Sequence, residues 1–94
     1  MDYIFIPRPG DIERIHEQFA TLKNKSKQEL VKLYNKQVQI GLVGVHAQAI
    51  FVVALHWAFK ALFLNSPIFI QDNIHIKLSG IIELDELNWK EKTI

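Results

Sequence analysis

The sequence predicts a small α+β domain, mainly helical, in which three helices are followed by a C-terminal β-hairpin. Three observations carry that prediction. Apolar residues recur at helical spacing through three successive stretches between residues 11 and 64. The pattern then switches to alternation across 68–78. Proline, glycine and asparagine punctuate the boundaries. At 94 residues the chain is read as one domain, 1–94, with room for a modest core.

The first element is "YIFI", Tyr3 to Ile6, a β-prone run that can add a third strand. Pro7 lacks a donor and Pro9-Gly10 is turn chemistry, so the run stops there. Asp11 is placed to cap a helix whose apolar stripe is Ile12, Ile15, Phe19 and Leu22. The second helix opens at Ser26, which forms an S-x-x-E capping box with Glu29, and turns Leu30, Leu33, Tyr34 and Val38 inward. Gly41 and Gly44 each cost about 1 kcal/mol inside a helix, and one unbroken helix from 27 to 64 would far exceed the usual length, so a break is expected at 41–45. The third helix is "HAQAIFVVALHWAFKALF", 46–63, with one formal charge. After the stop at Asn65-Ser66-Pro67, the hairpin turns at Asp72-Asn73. Ile74, Ile76 and Leu78 lie on one face, with His75, Lys77 and Ser79 on the other. Gly80 ends the hairpin, and the acidic stretch 81–94 reads as a short tail compatible with a helix.

The apolar stretch poses a choice between a membrane span and a core helix. Residues 40–64 approach the roughly 20 apolar residues a span needs, and lysines crowd their N-terminal flank. Against a span stand His46, Gln48, His56 and Lys60. His46, Ala49, Val53, His56 and Lys60 share one strip of the helical wheel, opposite Phe51, Leu55, Ala58 and Leu62. The other amphipathic segments also need an apolar surface, and this helix is the one large surface on offer. It is therefore read as the core helix.

Composition removes several function classes. The net charge of +1 gives no global field toward nucleic acid. The absence of cysteine removes disulfides, thiolate nucleophiles and cysteine zinc sites. The N-terminus lacks the basic and apolar regions of a signal peptide, so the chain is expected to be unprocessed and cytoplasmic. No nucleophile elbow, phosphate loop or dinucleotide fingerprint is present. No enzyme activity, cofactor or metal is expected.

Glu13 and His16, with Glu17 beside them, have the spacing of a carboxylate–histidine pair, but the other helices offer no matching ligand set, so a solvated helix face is expected. His46 and His56 lie about 15 Å apart along one helix and cannot share a metal. His56 and Lys60 are neighbours at i and i+4, and both burial and like charge favour a neutral imidazole there. With Trp57 they could line a ligand pocket or a pH-sensitive edge, while His75 is expected to be exposed.

Lys25, Lys32 and Lys36 share a face of the second helix, a basic strip about 16 Å long that could touch phosphate but carries no arginine to read bases. Phe51, Trp57, Phe59, Phe63 and Phe69 crowd residues 51–69 and exceed what so small a domain hides easily. The leading reading is accordingly a non-catalytic interaction or oligomerisation module that assembles through helix 46–63 and the hairpin. Its expected partner is a second copy or another protein. The alternative is a small nucleic-acid-binding regulator using the lysine strip, and a single-span membrane protein ranks below both.

Overall fold

The structure, a computed structural model, describes residues 2–72 and 74–92. Its elements run β1 (Asp2–Ile4), α1 (Asp11–Leu22), α2 (Lys27–Ile40), α3 (His46–Leu62), β2 (Ile68–Gln71), β3 (His75–Leu78), β4 (Ile82–Asp85) and β5 (Asn88–Glu91). This is the predicted α+β class, with one hairpin more than the sequence suggested.

Gly10, not Asp11, takes the cap position of α1. Asp11 is the first helical residue, and its carboxylate turns back to accept the Arg8 N–H at 2.7 Å. Ile15 and Leu22 are buried and Phe19 packs against the core, but Ile12, expected inward, is half-exposed at the helix rim. The α2 capping box forms as predicted. Ser26 Oγ accepts the Glu29 N–H at 3.1 Å, and the Glu29 carboxylate accepts the Ser26 N–H at 3.3 Å. Leu30 and Tyr34 are fully buried, and Leu33 and Val38 partly so.

The break between α2 and α3 falls at 41–45. Gly41 (φ 84°) and Gly44 (φ 82°) both occupy left-handed backbone, which side chains with a Cβ rarely adopt. Gln48 fastens the turn. Its amide donates to the Gly41 carbonyl at 2.8 Å and to Gln37 Oε1 at 3.0 Å, and it accepts the Val43 N–H at 3.1 Å. A polar residue that argued against a membrane span thus closes the loop in front of its own helix.

The 17 residues of α3 extend about 25 Å, short of a hydrocarbon layer of about 30 Å. Among the described residues no helix is long and apolar enough to cross a membrane. The helix is instead surrounded by its own chain. Ala49, Ile50, Val52, Val53, Ala54, Leu55, Ala58 and Phe59 are buried among α1, α2 and β2.

Residues 2–4 do add a third strand. The sheet order is β1-β3-β2, antiparallel throughout, with Tyr3 and Ile70 both opposite Ile76, and Phe69 opposite Lys77. Alternation sends Ile68, Ile76 and Leu78 into the core and Ile4, Phe69, Gln71 and Lys77 outward. Ile74, expected inward, lies in the turn and is partly exposed, and His75 is half-buried instead of exposed.

The stretch 82–91 corrects the reading of a helical tail. It forms a second hairpin, β4 against β5, around the two-residue loop Glu86-Leu87, with Glu86 at φ 57°. Residues 93–94, the end of that predicted tail, lie outside the described residues. Two adjacent residues of α2 fix the hairpin. The Tyr34 hydroxyl donates to the carbonyls of Ser79 (2.8 Å) and Gly80 (3.2 Å). Asn35 donates to the Ile82 carbonyl at 2.8 Å and accepts the Ile82 N–H at 2.9 Å, as a neighbouring strand would. Trp89 Nε1 donates to the Asn65 carbonyl at 2.9 Å and ties the far strand to the loop between α3 and β2.

Candidate functional site

The aromatic residues of 51–69 divide between core and surface. Phe59 is 0% exposed, stacked on Phe63 at 5.0 Å and set edge-on to Tyr34 at 6.0 Å. Phe63 is 6% exposed and lies under the Lys27 ammonium, 5.2 Å from the ring centroid. Neither ring presents an outer face, because the second helix and the end of α3 use both to build the interior. Phe51 and Trp57 are half-buried at the α1–α3 junction. His16 and Phe19 set their rings edge-on to Trp57 at 5.1 and 5.9 Å, so His16 is engaged by an aromatic side chain. Among the described residues no three acidic, histidine or cysteine side chains converge on a point that could hold a metal ion.

Phe69 is the member of the set that faces solvent. It is 64% exposed on the outer face of β2, which is an edge of its sheet. Ile4, 54% exposed, belongs to the same outer face on β1. Phe69 borders a groove of about 520 Å³ whose walls are Gln71, His75, Lys77, Leu78, Ser79 and, from β5, Glu91. An exposed ring is thus flanked by one cation and one anion on separate strands.

A second concavity, of about 330 Å³, opens between α1, α3 and the end of β2. Phe5, Pro7, Asp11, Ile12, Ile15, Val53, His56, Trp57 and Ile70 line it. Of the predicted pocket group it joins His56 to Trp57, whereas Lys60 is exposed and stands outside the lining. Asp11 and His56 are its two titratable walls.

Burial works to raise the Asp11 carboxyl, but the Arg8 amide, the His46 imidazole and the Arg14 charge outweigh it and hold the group below its ordinary value. His46 Nε2 lies 2.9 Å from Asp11 Oδ2 and 3.1 Å from Oδ1. An ionised carboxylate only accepts, so the imidazole donates. Phe5 stacks on the face of the His46 ring, centroids 5.2 Å apart. The start of α3 is in this way pinned to the start of α1.

His56 behaves as its sequence neighbours imply. Burial first, and then the Lys60 charge, lower its pKa, against an opposing pull from the Ile68 backbone. Its Nδ1 meets Ser66 Oγ at 2.9 Å, and the same Oγ accepts the Ile68 N–H at 3.0 Å. Nδ1 is therefore engaged at the start of β2.

The lysine strip is less uniform than its sequence. Lys32 and Lys36 are exposed and Lys25 is half-buried, with Glu29 among them. The Ser26 backbone and hydroxyl, and then Lys25 and Lys32, hold the Glu29 carboxyl low, so an anion persists within the strip. Lys27, from the same run, donates to the Leu87 carbonyl at 2.7 Å, and Lys23 sits over Phe19 at 5.8 Å.

Asp11, His46 and Ser66 are not legible in the sequence as site residues. Asp11 and His46 are 35 positions apart, and the one local signal was the capping position of Asp11. Comparison with protein families, with curated proteins and with solved structures returns no significant match.

Proposed function

We propose that the chain is a non-catalytic, cytoplasmic interaction module whose contact surface is the outer face of the three-stranded sheet, and that its partner is a second copy of itself. The observation that carries this reading is Phe69, a large ring 64% exposed on an edge strand beside a groove with Lys77 on one wall and Glu91 on another. Two such faces related by a two-fold axis can seat Phe69 in the opposite groove and set Lys77 of each copy against Glu91 of the other. A closed dimer needs a self-complementary surface of this kind. The net charge of +1 adds little long-range repulsion. Relative to the sequence reading, helix 46–63 supports the interface from within and is not itself the contact surface.

Light scattering coupled to size exclusion over a wide concentration range tests the reading. Dimer is expected for the wild type and monomer for Phe69→Glu. Lys77→Glu and Glu91→Lys are each expected to weaken the dimer and, combined, to restore part of it. A wild type that stays monomeric at every concentration would overturn the proposal.

A further inference from the structure

The cleft between α1 and α3 is separate from the sheet face and has its own chemistry. Most of its walls are apolar, Phe5, Pro7, Ile12, Ile15, Val53, Trp57 and Ile70, drawn from four parts of the chain. Its volume, about 330 Å³, falls at the small end of the range for ligand pockets. Among the described residues, Asp11 is the one acid in that lining, and no lysine or arginine accompanies it. Arg14 and Lys60 lie close enough to act on Asp11 and His56, yet neither forms a wall.

The carboxylate oxygens are unequally used. Oδ2 accepts both the Arg8 N–H at 2.7 Å and the His46 Nε2 contact at 2.9 Å, whereas Oδ1 has the longer His46 contact at 3.1 Å. Oδ1 therefore keeps acceptor capacity. Trp57 provides an aromatic wall, with an electron-rich face that attracts cations. We propose that this cleft binds a small apolar amine, its ammonium directed to Asp11 Oδ1 and its body against Trp57 and the aliphatic wall. A carboxylate or phosphate ligand is disfavoured, because it would meet Asp11 with no cationic side chain in the lining to offset the repulsion.

The test uses three isosteric probes on the full chain: phenethylamine, 2-phenylethanol and phenylacetate. Binding is followed by NMR through the two tryptophan indole N–H signals. Phenethylamine is expected to move the Trp57 signal and leave that of Trp89, which is hydrogen-bonded to Asn65 in the loop after α3. It should bind at least tenfold more tightly than phenylacetate. Asp11→Asn should erase that preference while 2-phenylethanol binds as before. Asp11 also pins two helices, so a second variant, Ile12→Trp at the half-exposed rim, closes the cleft without touching the carboxylate and should abolish binding of all three probes. The proposal is overturned if phenethylamine leaves Trp57 unmoved at tens of millimolar. Binding of phenylacetate as tightly as the amine, or amine binding that survives Ile12→Trp, would overturn it equally.

Discussion

Replacing Asn35 by alanine removes both partners that α2 offers to Ile82, the 2.8 Å bond to its carbonyl and the 2.9 Å bond from its N–H. Ile82 is 1% exposed, so its backbone groups lose these bonds in a largely dry setting. A buried polar group left unpaired costs about 1–3 kcal/mol. Asn35 itself is only half-buried and water can reach part of the gap, which brings the combined cost to about 2 kcal/mol. For a chain of this length that corresponds to a fall in Tm of about 8–16 °C. The damage should also be local. A lone two-stranded hairpin is marginal in water, and Asn35 is one of the few groups fastening β4–β5 to the helices. Thermal unfolding followed by circular dichroism gives the global loss, and amide hydrogen exchange gives its distribution. Amides of residues 82–91 should exchange faster by a larger factor than those of α1 and α3. A loss below about 0.5 kcal/mol, or acceleration spread evenly over all elements, would refute the view that this amide substitutes for a strand.

The two phenylalanines that the sequence grouped together should separate under mutation. Phe59→Ala is expected to cost about 3–5 kcal/mol in urea unfolding, whereas Phe69→Ala should change stability by less than about 0.5 kcal/mol while weakening self-association. His56 gives a pH signature. Its folded pKa lies below the ordinary imidazole value, so its contribution is complete above about pH 6.5 and is lost as pH falls through the folded value. A stability–pH curve should decline through that window in the wild type and flatten there in His56→Gln, and Lys60→Met should raise the His56 pKa measured by NMR. Glu86→Gly relieves a side chain at φ 57° and should stabilise the protein by about 1 kcal/mol, read from the urea midpoint.

What was legible in the sequence was what depends on near neighbours. The capping box at Ser26, the paired glycines before α3, the alternation of 68–78 and the Lys60 contribution to the His56 shift all involve residues within a few positions of one another, although the larger contribution to that shift, burial, is tertiary. Contacts that depend on tertiary placement were hidden. Nothing local in Asn35 points to Ile82, 47 positions on, and nothing in Asp11 points to His46. The second hairpin was missed because its loop, Glu86-Leu87, carries none of the glycine or asparagine that usually marks such a turn, and its strands are four residues each. Of the five aromatic residues put forward for an interface, burial removed Phe59 and Phe63. The helical pattern marks a ring as facing inward or outward only once the neighbouring elements are placed.

Ile4 is bonded into the sheet beside His75, so the first strand finds its place only through residues made 71 positions later. At a synthesis rate of roughly 5–20 residues per second, the ribosome needs about 4–14 s to make the intervening stretch, and through that interval Tyr3, Ile4 and Phe5 have no strand to join. The helices can begin to pack while the chain is still growing, but closure of the sheet waits for the last quarter of the molecule. A truncated product that stops before β3 should therefore resemble a loose helical cluster and be prone to sticking to its neighbours.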